Sequence, residues 1–353
     1  MTHINKIARA LLQISLIPFA GIYGIAIIIR NRLYDGGWLT QQKINVPVIS
    51  VGNITAGGTG KTPFVIALAN WLTQLGYSPG IISRGYKRKS RGQQIVKNRG
   101  KVLLTPSVAG DEPFLIADQT ERTVVITDTD RCAAAETAVN RYGCDILIAD
   151  DAFQHRRLQR NLDIVLWDIE LDPNSCRLLP AGRLREPLKG LRRADLLLIS
   201  RTTEIPARYH RRFQKVRTVI FIAPLTYGLA RIGSLSGNPD FTQEQLSGKT
   251  VLTFCGLGNP NQFFDLVASL TKTKPVAKSF PDHYRYTMRD VHWLDHLAKK
   301  HNCRYLITTR KDAVNLPAAA QNIADLLVVD IEYIIGEKIK AAILNKLPPR
   351  KSI

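Results

Sequence analysis

The stretch "SVGNITAGGTGKTPFVIALANWL", from Ser50 to Leu72, constrains the fold of this chain more than any other. An apolar run, "NVPVISVGN" (Asn45–Asn53), reads as a buried strand and leads into it. An amphipathic segment, Thr62–Gly76, leads out, with Pro63 in its first turn and Gly76 past its end, as helices prefer. A glycine-rich loop between a strand and a helix aims backbone N–H groups and a helix N-terminus at one point, which suits a phosphate. Thr55, Ala56, Gly57, Gly58, Thr59, Gly60, Lys61 and Thr62 form that cradle. Lys61 is placed to reach the β- and γ-phosphates, and the Thr62 hydroxyl to ligate Mg²⁺. The general pattern has glycine where Thr55 stands, a change that is tolerated if the backbone there keeps a negative φ. A Gly-rich turn with no ligand is the plainer alternative.

A phosphate loop requires a partner: an acidic residue closing a second buried strand. "DILIADDAFQH" supplies it, with Asp150 and Asp151 after four apolar residues, at the strand end where ligands bind in such sheets. Their expected role is to hold Mg²⁺, directly or through water. Further apolar runs at Pro79–Ser83, Thr123–Asp128, Leu162–Asp168 and Ala194–Ser200, with a helix over Arg131–Gly143, indicate a parallel sheet covered on both faces. A second series begins near Thr250, through "CRYLITT" (Cys303–Thr309) and "LLVVDIEYIIG" (Leu326–Gly336). The fold expected is α/β: a P-loop NTPase-like parallel sheet, a smaller C-terminal α/β domain and an apolar N-terminal helix. The divisions expected are 1–34 for that helix, 35–222 for the P-loop domain, 223–234 for a hinge and 235–353 for the second domain.

Charge narrows the partners. Forty-nine Lys and Arg against 29 Asp and Glu leave +20, which implies nucleic acid, an anionic lipid surface or phosphorylated substrates. Five scattered cysteines without a C-x-x-C pair argue for a reducing compartment and against zinc. From Ala10 to Ile29 about twenty residues carry no charge, with Lys6 and Arg9 before them and Arg30 and Arg32 after. No small-residue cleavage site precedes Arg30, against a signal peptide, and Pro18, Gly21 and Gly24 weaken a spanning helix. A helix lying on or dipping into a membrane, its basic flanks at anionic headgroups, is the reading favoured over an ordinary buried helix.

Four further segments concentrate chemistry. "AGDEPFLIA" reads as a helix start with Asp111 as its N-cap. "ISRGYKRKSRG" gathers Arg84, Lys87, Arg88, Lys89 and Arg91 around Tyr86, suited to a phosphate or headgroup, or else a solvated basic loop. "PAGRLREP" brings Arg183, Arg185 and Glu186 together between prolines, and "SFPDHYRYT" sets Asp282 beside His283. A lone histidine of that kind is more often structural than catalytic.

In order along the chain, "VGNITAGGTGKTP", "ISRGY", "GDEP", "DDAFQH", "PAGRLREP", "FPDHYRY" and "TTRKDAV" closely resemble the tetraacyldisaccharide 4′-kinase family, the lipid A 4′-kinases of Gram-negative bacteria. The family does not require glycine at Thr55. The resemblance implies ATP and Mg²⁺ as co-substrate and cofactor, and transfer to the 4′-hydroxyl of a tetraacylated glucosamine disaccharide 1-phosphate. It implies work at the cytoplasmic face of the inner membrane, on its anionic surface, through the N-terminal helix. By position, Asp111 would be the catalytic base and His283 its support, beside Lys61 at the phosphates. Arg84 and Tyr86 would meet the substrate, and Gln154, His155, Arg185 and Glu186 would line the site. Two departures, Ala152 where glycine is expected and Lys87 where glycine is common, touch loop conformation and not reacting groups. A membrane-associated P-loop GTPase or ATPase switch is the main rival, but in "TTRKD" Lys311 stands one place late for guanine recognition. A nucleic-acid ATPase leaves the apolar N-terminus unexplained, so no nucleic acid partner is expected.

Overall fold

The computed structural model describes residues 13–348, apart from 87, 218–219, 235–240 and 324. Ala10, Leu11, Leu12 and Lys87 therefore lie outside the described residues, as do Lys6 and Arg9. Thirteen strands form one continuous sheet. The first lobe contributes β1 (Val48–Gly52), β2 (Pro79–Ser83), β3 (Gln94–Arg99), β4 (Lys101–Val102), β5 (Thr123–Thr127), β6 (Ile146–Asp150), β7 (Leu162–Asp168) and β8 (Leu196–Ser200). The long β9 (Phe221–Ser234) follows, and the second lobe adds β10 (Val251–Cys255), β11 (Val276–Ser279), β12 (Tyr305–Thr309) and β13 (Leu326–Ile334). The order across the sheet is β11-β10-β12-β13-β9-β8-β7-β1-β6-β2-β5-β3-β4.

β1 runs parallel between β6 and β7, and β2 lies parallel between β6 and β5. Every residue of β1, β2, β5, β6, β7 and β8 is buried, which explains why they read as unbroken apolar runs and not as alternation. Helix α1 (Ile17–Asp35) precedes the sheet. Helices α2 (Lys61–Gln74) and α3 (Asp111–Gln119) cover one face through Phe64, Leu68, Leu72, Leu115 and Ile116. Helix α4 (Arg131–Asn140) covers the other with Cys132, Ala134, Ala135 and Ala138. Each large aliphatic side chain so buried stabilises the fold by about 1.5–3 kcal/mol against leaving it in water. The second lobe repeats the plan, α5 (Asn261–Thr271) burying Phe263, Val267 and Leu270 on one face and α6 (Met288–Lys300) Val291, Leu294 and Ala298 on the other.

Residues 223–234, expected as a hinge, lie within β9. Its first part pairs parallel with β8, and its remainder pairs antiparallel with β13, so one strand belongs to both lobes. The β3–β4 edge hairpin is not legible in the sequence, because it mixes polar and charged residues with few apolar ones, Lys97 being buried among them, and its turn puts Arg99 at φ +53°. All five cysteines are free.

Helix α1 buries only Ala20 and Gly24 fully, while Phe19, Ile22, Ile25 and Ile29 face outward, Ile22 at 67% exposure. Polar contacts fasten it to the body: the Tyr23 hydroxyl donates to the Arg185 carbonyl at 2.6 Å, and Arg156 bonds the Asn31 carbonyl and the Asp35 carboxylate. Among the described residues no helix is long and apolar enough to cross a membrane.

Candidate active site

The parallel strands deliver their carboxyl ends to one edge: Gly52 into the glycine loop, Ser83 into the basic loop, Asp150 into the Asp pair, and Ser200 into Arg201. In the loop Gly57 takes φ +111° and Gly60 φ +84°, conformations that only glycine adopts without strain. Space is short as well: a Cβ on Gly60 would overlap the hydroxyl of the buried Tyr333, and one on Gly57 would displace the Arg183 guanidinium. Thr55 has no positive φ and is buried, bridged to Leu184, with Ala56 N–H donating to the Arg183 carbonyl at 2.6 Å. The threonine therefore sits in a strand-like lead where glycine's freedom has no use. Asn53 donates to Thr59 Oγ1 at 3.1 Å, and Arg201 donates to the Gly58 carbonyl at 3.1 Å while pairing with Asp168. Helix α2 opens with no side-chain cap and no acidic residue in its first turn, which leaves its orphan N–H groups for an anion.

Asp151 lies at φ +46°, an uncommon conformation for a residue with a side chain, and holds Arg185 at 3.0 Å from both its oxygens. Lys61 Nζ is 3.5 Å from Asp151 Oδ1. Burial favours the neutral acid at Asp151, but Lys61 and Arg185 outweigh it and keep the carboxyl below its ordinary range. Asp150 has the opposite fate. It is 2% exposed and hydrogen-bonded by Ser83 at 3.0 Å, and burial, with the charges of Glu112 and Asp151, pushes it up to about 7. A buried carboxylate raised in this way, with only part of its charge offset by Lys61, suits a cation. With the Thr62 hydroxyl, the donors are all oxygen, the set a hard ion such as Mg²⁺ prefers. Among the described residues no three His, Cys, Asp or Glu side chains converge on one point.

Asp111 does not cap its helix. Gly110, at φ +91°, holds that position and makes Asp111 the first helical residue. The correction matters, because the carboxylate is free to reach the second lobe: His283 Nδ1 stands 3.1 Å and Asn315 Nδ2 3.3 Å from Asp111 Oδ2. Burial would raise this carboxyl, but the hydrogen bonds from His283 and Asn315, with the charges of His283 and Arg285, hold it below the usual range. His283 itself adopts φ +62°, and its ring meets the Tyr86 ring edge-on at 6.3 Å.

Between the lobes runs a cleft of about 580 Å³, lined by the glycine loop, Arg84, Tyr86, Glu112, Asp150, Asp151, Arg185 and His283. Gln154, His155 and Glu186 are not part of this lining. Glu186 is fully buried and receives Arg193 at 2.8 Å and Gln154 at 2.9 Å, while Gln154 also donates to the Asn53 carbonyl. Gln154 and Glu186 carry the floor behind the loop, beneath α1, and of the expected group only Arg185 faces the cleft. Burial and the charge of Arg131 push His155 down to about 4. Asn315, Tyr333 and Arg201 reach the site unannounced by any local pattern. Asp312, which a guanine reader would need at the surface, is buried and accepts from Gly256 N–H at 2.7 Å and the Tyr286 hydroxyl at 2.9 Å.

Comparison with known proteins agrees along nearly the whole chain. Residues 12–348 match the family described as tetraacyldisaccharide-1-P 4′-kinase. A tetraacyldisaccharide 4′-kinase of Syntrophus aciditrophicus is 37% identical over 309 residues, which are 84% of this chain and 83% of that protein. Another, of Aquifex aeolicus, is 39% identical over 280 residues, 78% of this chain and 84% of that protein. Among solved structures, the "apo" form of LpxK from Aquifex aeolicus in complex with ATP superposes with a TM-score of 0.73 at 34% identity, covering 96% of this chain and 100% of that one.

Proposed function

This chain belongs to the tetraacyldisaccharide-1-P 4′-kinase family, and from that membership we infer that its residues carry an ATP-dependent phosphoryl transfer as follows. The acceptor is the 4′-hydroxyl of a tetraacyl disaccharide 1-phosphate in lipid A biosynthesis. Asp111 takes the hydroxyl proton as that oxygen bonds to the γ-phosphorus. The bond from the γ-phosphorus to the β–γ bridging oxygen breaks, and its electron pair leaves with ADP. His283 holds Asp111 from the second lobe. Lys61 and the N–H groups of the glycine loop meet the charge on the transferring group, where positioning and neutralisation do most of the work. Thr62, Asp150 and Asp151 would hold Mg²⁺, which would supply positive charge against the phosphate oxygens. The single observation that carries this reading is the Asp111 carboxylate 3.1 Å from the ring of His283, a residue that lines the same cleft as the glycine loop. In the domain division favoured here, 35–222 and 235–353 flex about the strand they share, and closure excludes water and suppresses idle hydrolysis. Labelled γ-phosphate should pass from ATP to a tetraacyl disaccharide 1-phosphate in mixed micelles. Nucleotide hydrolysis with no label in lipid would return the chain to the switch class.

The membrane reading rests on α1, whose apolar residues face outward while Arg30 and Arg32 flank their end. In this reading the helix lies on the anionic cytoplasmic face of the inner membrane and brings the cleft to its lipid. The paired substitution Ile22→Ser and Ile25→Ser is then expected to weaken sedimentation with anionic vesicles about tenfold or more, at unchanged melting temperature. Undiminished sedimentation would refute a docking role for this face.

A further inference from the structure

Asp111 has two carboxylate oxygens, and the second lobe engages only one of them. His283 Nδ1 and Asn315 Nδ2 both converge on Oδ2, at 3.1 and 3.3 Å. No hydrogen bond from a described residue reaches Oδ1. The orientation of the Asn315 amide follows from its surroundings. Its Nδ2 also lies 3.3 Å from the Lys311 carbonyl, so the two hydrogens of one –NH₂ group serve two acceptors. Turned over, the amide would set its own oxygen against a carboxylate and a carbonyl.

We propose that Asn315 is a positioning residue for phosphoryl transfer: with His283 it occupies Oδ2 of Asp111 and leaves Oδ1 as the atom that takes the acceptor's proton. This rests on the reading of Asp111 as the base. Backbone bonds hold Asn315 in place independently of its side chain. Its N–H donates to the Asp312 carbonyl at 2.9 Å, and its carbonyl accepts from Tyr286 N–H at 3.2 Å. The second of these ties the turn after α7 (Arg310–Ala313) to the loop that carries His283. One rigid corner of the second lobe thus presents both donors together, and a base with one oxygen clamped has a defined lone pair for the incoming hydroxyl. The charged groups facing Asp111 are His283 and Arg285, from that same loop. Lys311, on α7, is paired with Asp282 at 2.9 Å and does not compete. Nothing on α3 offsets the loss of a donor, since its next residue, Glu112, is itself acidic.

A donor to the ionised carboxylate lowers its pKa, so its removal must move the acid limb of the kcat/KM profile to higher pH. In full-length protein with mixed micelles, Asn315→Ala should move that limb up by about one pH unit and recover most of its rate above it. Asn315→Asp, which opposes a second carboxylate to the first, should move it farther. The KM for ATP should stay near wild type in both. A limb that coincides with wild type, with the rate lowered equally at every pH, would overturn the proposal and leave Asn315 a packing residue. Asp111→Asn separates the two levels of inference. If that variant kept its turnover, the base reading itself would fail, whereas an inactive Asp111→Asn with an unmoved Asn315→Ala limb sinks only the role of Asn315.

Discussion

Asparagine in place of Asp111 should lower turnover about 10²- to 10⁴-fold, the usual contribution of a positioned general base. The substitution is nearly isosteric. Its amide oxygen can still accept from Asn315 Nδ2, and from His283 Nδ1 if that nitrogen carries the proton, so the corner between the lobes keeps its shape. What disappears is a carboxylate that its neighbours hold ionised in spite of burial. Because that folded-state pKa is depressed, the Asp111–His283 contact contributes stability above the unfolded value of the carboxyl, and the contribution is lost as pH falls through the folded one. At neutral pH the variant forfeits that term, so a modest fall in melting temperature accompanies a large fall in rate. ATP binding should be untouched, since the glycine loop and Lys61 lie on other elements. The assay is single-turnover transfer to the lipid acceptor at saturating ATP. A rate within tenfold of wild type would exclude Asp111 as the base.

The contrast between what the chain announces and what it conceals follows contact range. The glycine loop is local: strand, turn and helix run without a break from Val48 to Gln74, and each obeys its own rule of burial, φ freedom or helix start. The strand-end carboxylates are legible for the same reason, since an apolar run closed by Asp150 and Asp151 predicts their edge of the sheet. Even the anomaly at Thr55 resolves locally, in a residue that never needs a positive φ. The constellation around Asp111 joins residues 172 and 204 positions apart, and no periodicity spans such a distance. A motif match reached His283, whereas Asn315, one residue past the end of "TTRKDAV", had nothing to mark it. Tyr333 was equally hidden, because a tyrosine in an apolar strand reads as core. Only the pairing of β13 with β9 brings its hydroxyl over Gly60. The N-cap at Asp111 failed for a simpler reason: glycine and aspartate both suit that position, and the residue that can hold φ +91° took it.

Methionine in place of Lys61 should cost about 10²- to 10³-fold in kcat, as losing one preorganised charge at a transferring group does elsewhere. The same change should leave the melting temperature within a few degrees of wild type. The two halves of that expectation have separate causes. Lys61 reaches Asp151 at 3.5 Å, but Arg185 holds both oxygens of that carboxylate at 3.0 Å, so removing the ammonium strands no buried charge. The loop also stands without it. The Arg183 carbonyl receives Ala56 N–H, Arg201 holds the Gly58 carbonyl, and Asn53 staples Thr59. Both strand-end carboxylates feel the loss, because Lys61 moderates the rise of Asp150 and helps hold Asp151 down. The variant should therefore need more Mg²⁺ for half-maximal rate, a shift that thermal melting alone would not reveal. Folding and chemistry thus draw on different contacts of one loop. Collapse of the fold in Lys61→Met would show instead that the ion pair with Asp151 is structural and that Arg185 cannot hold that carboxylate alone.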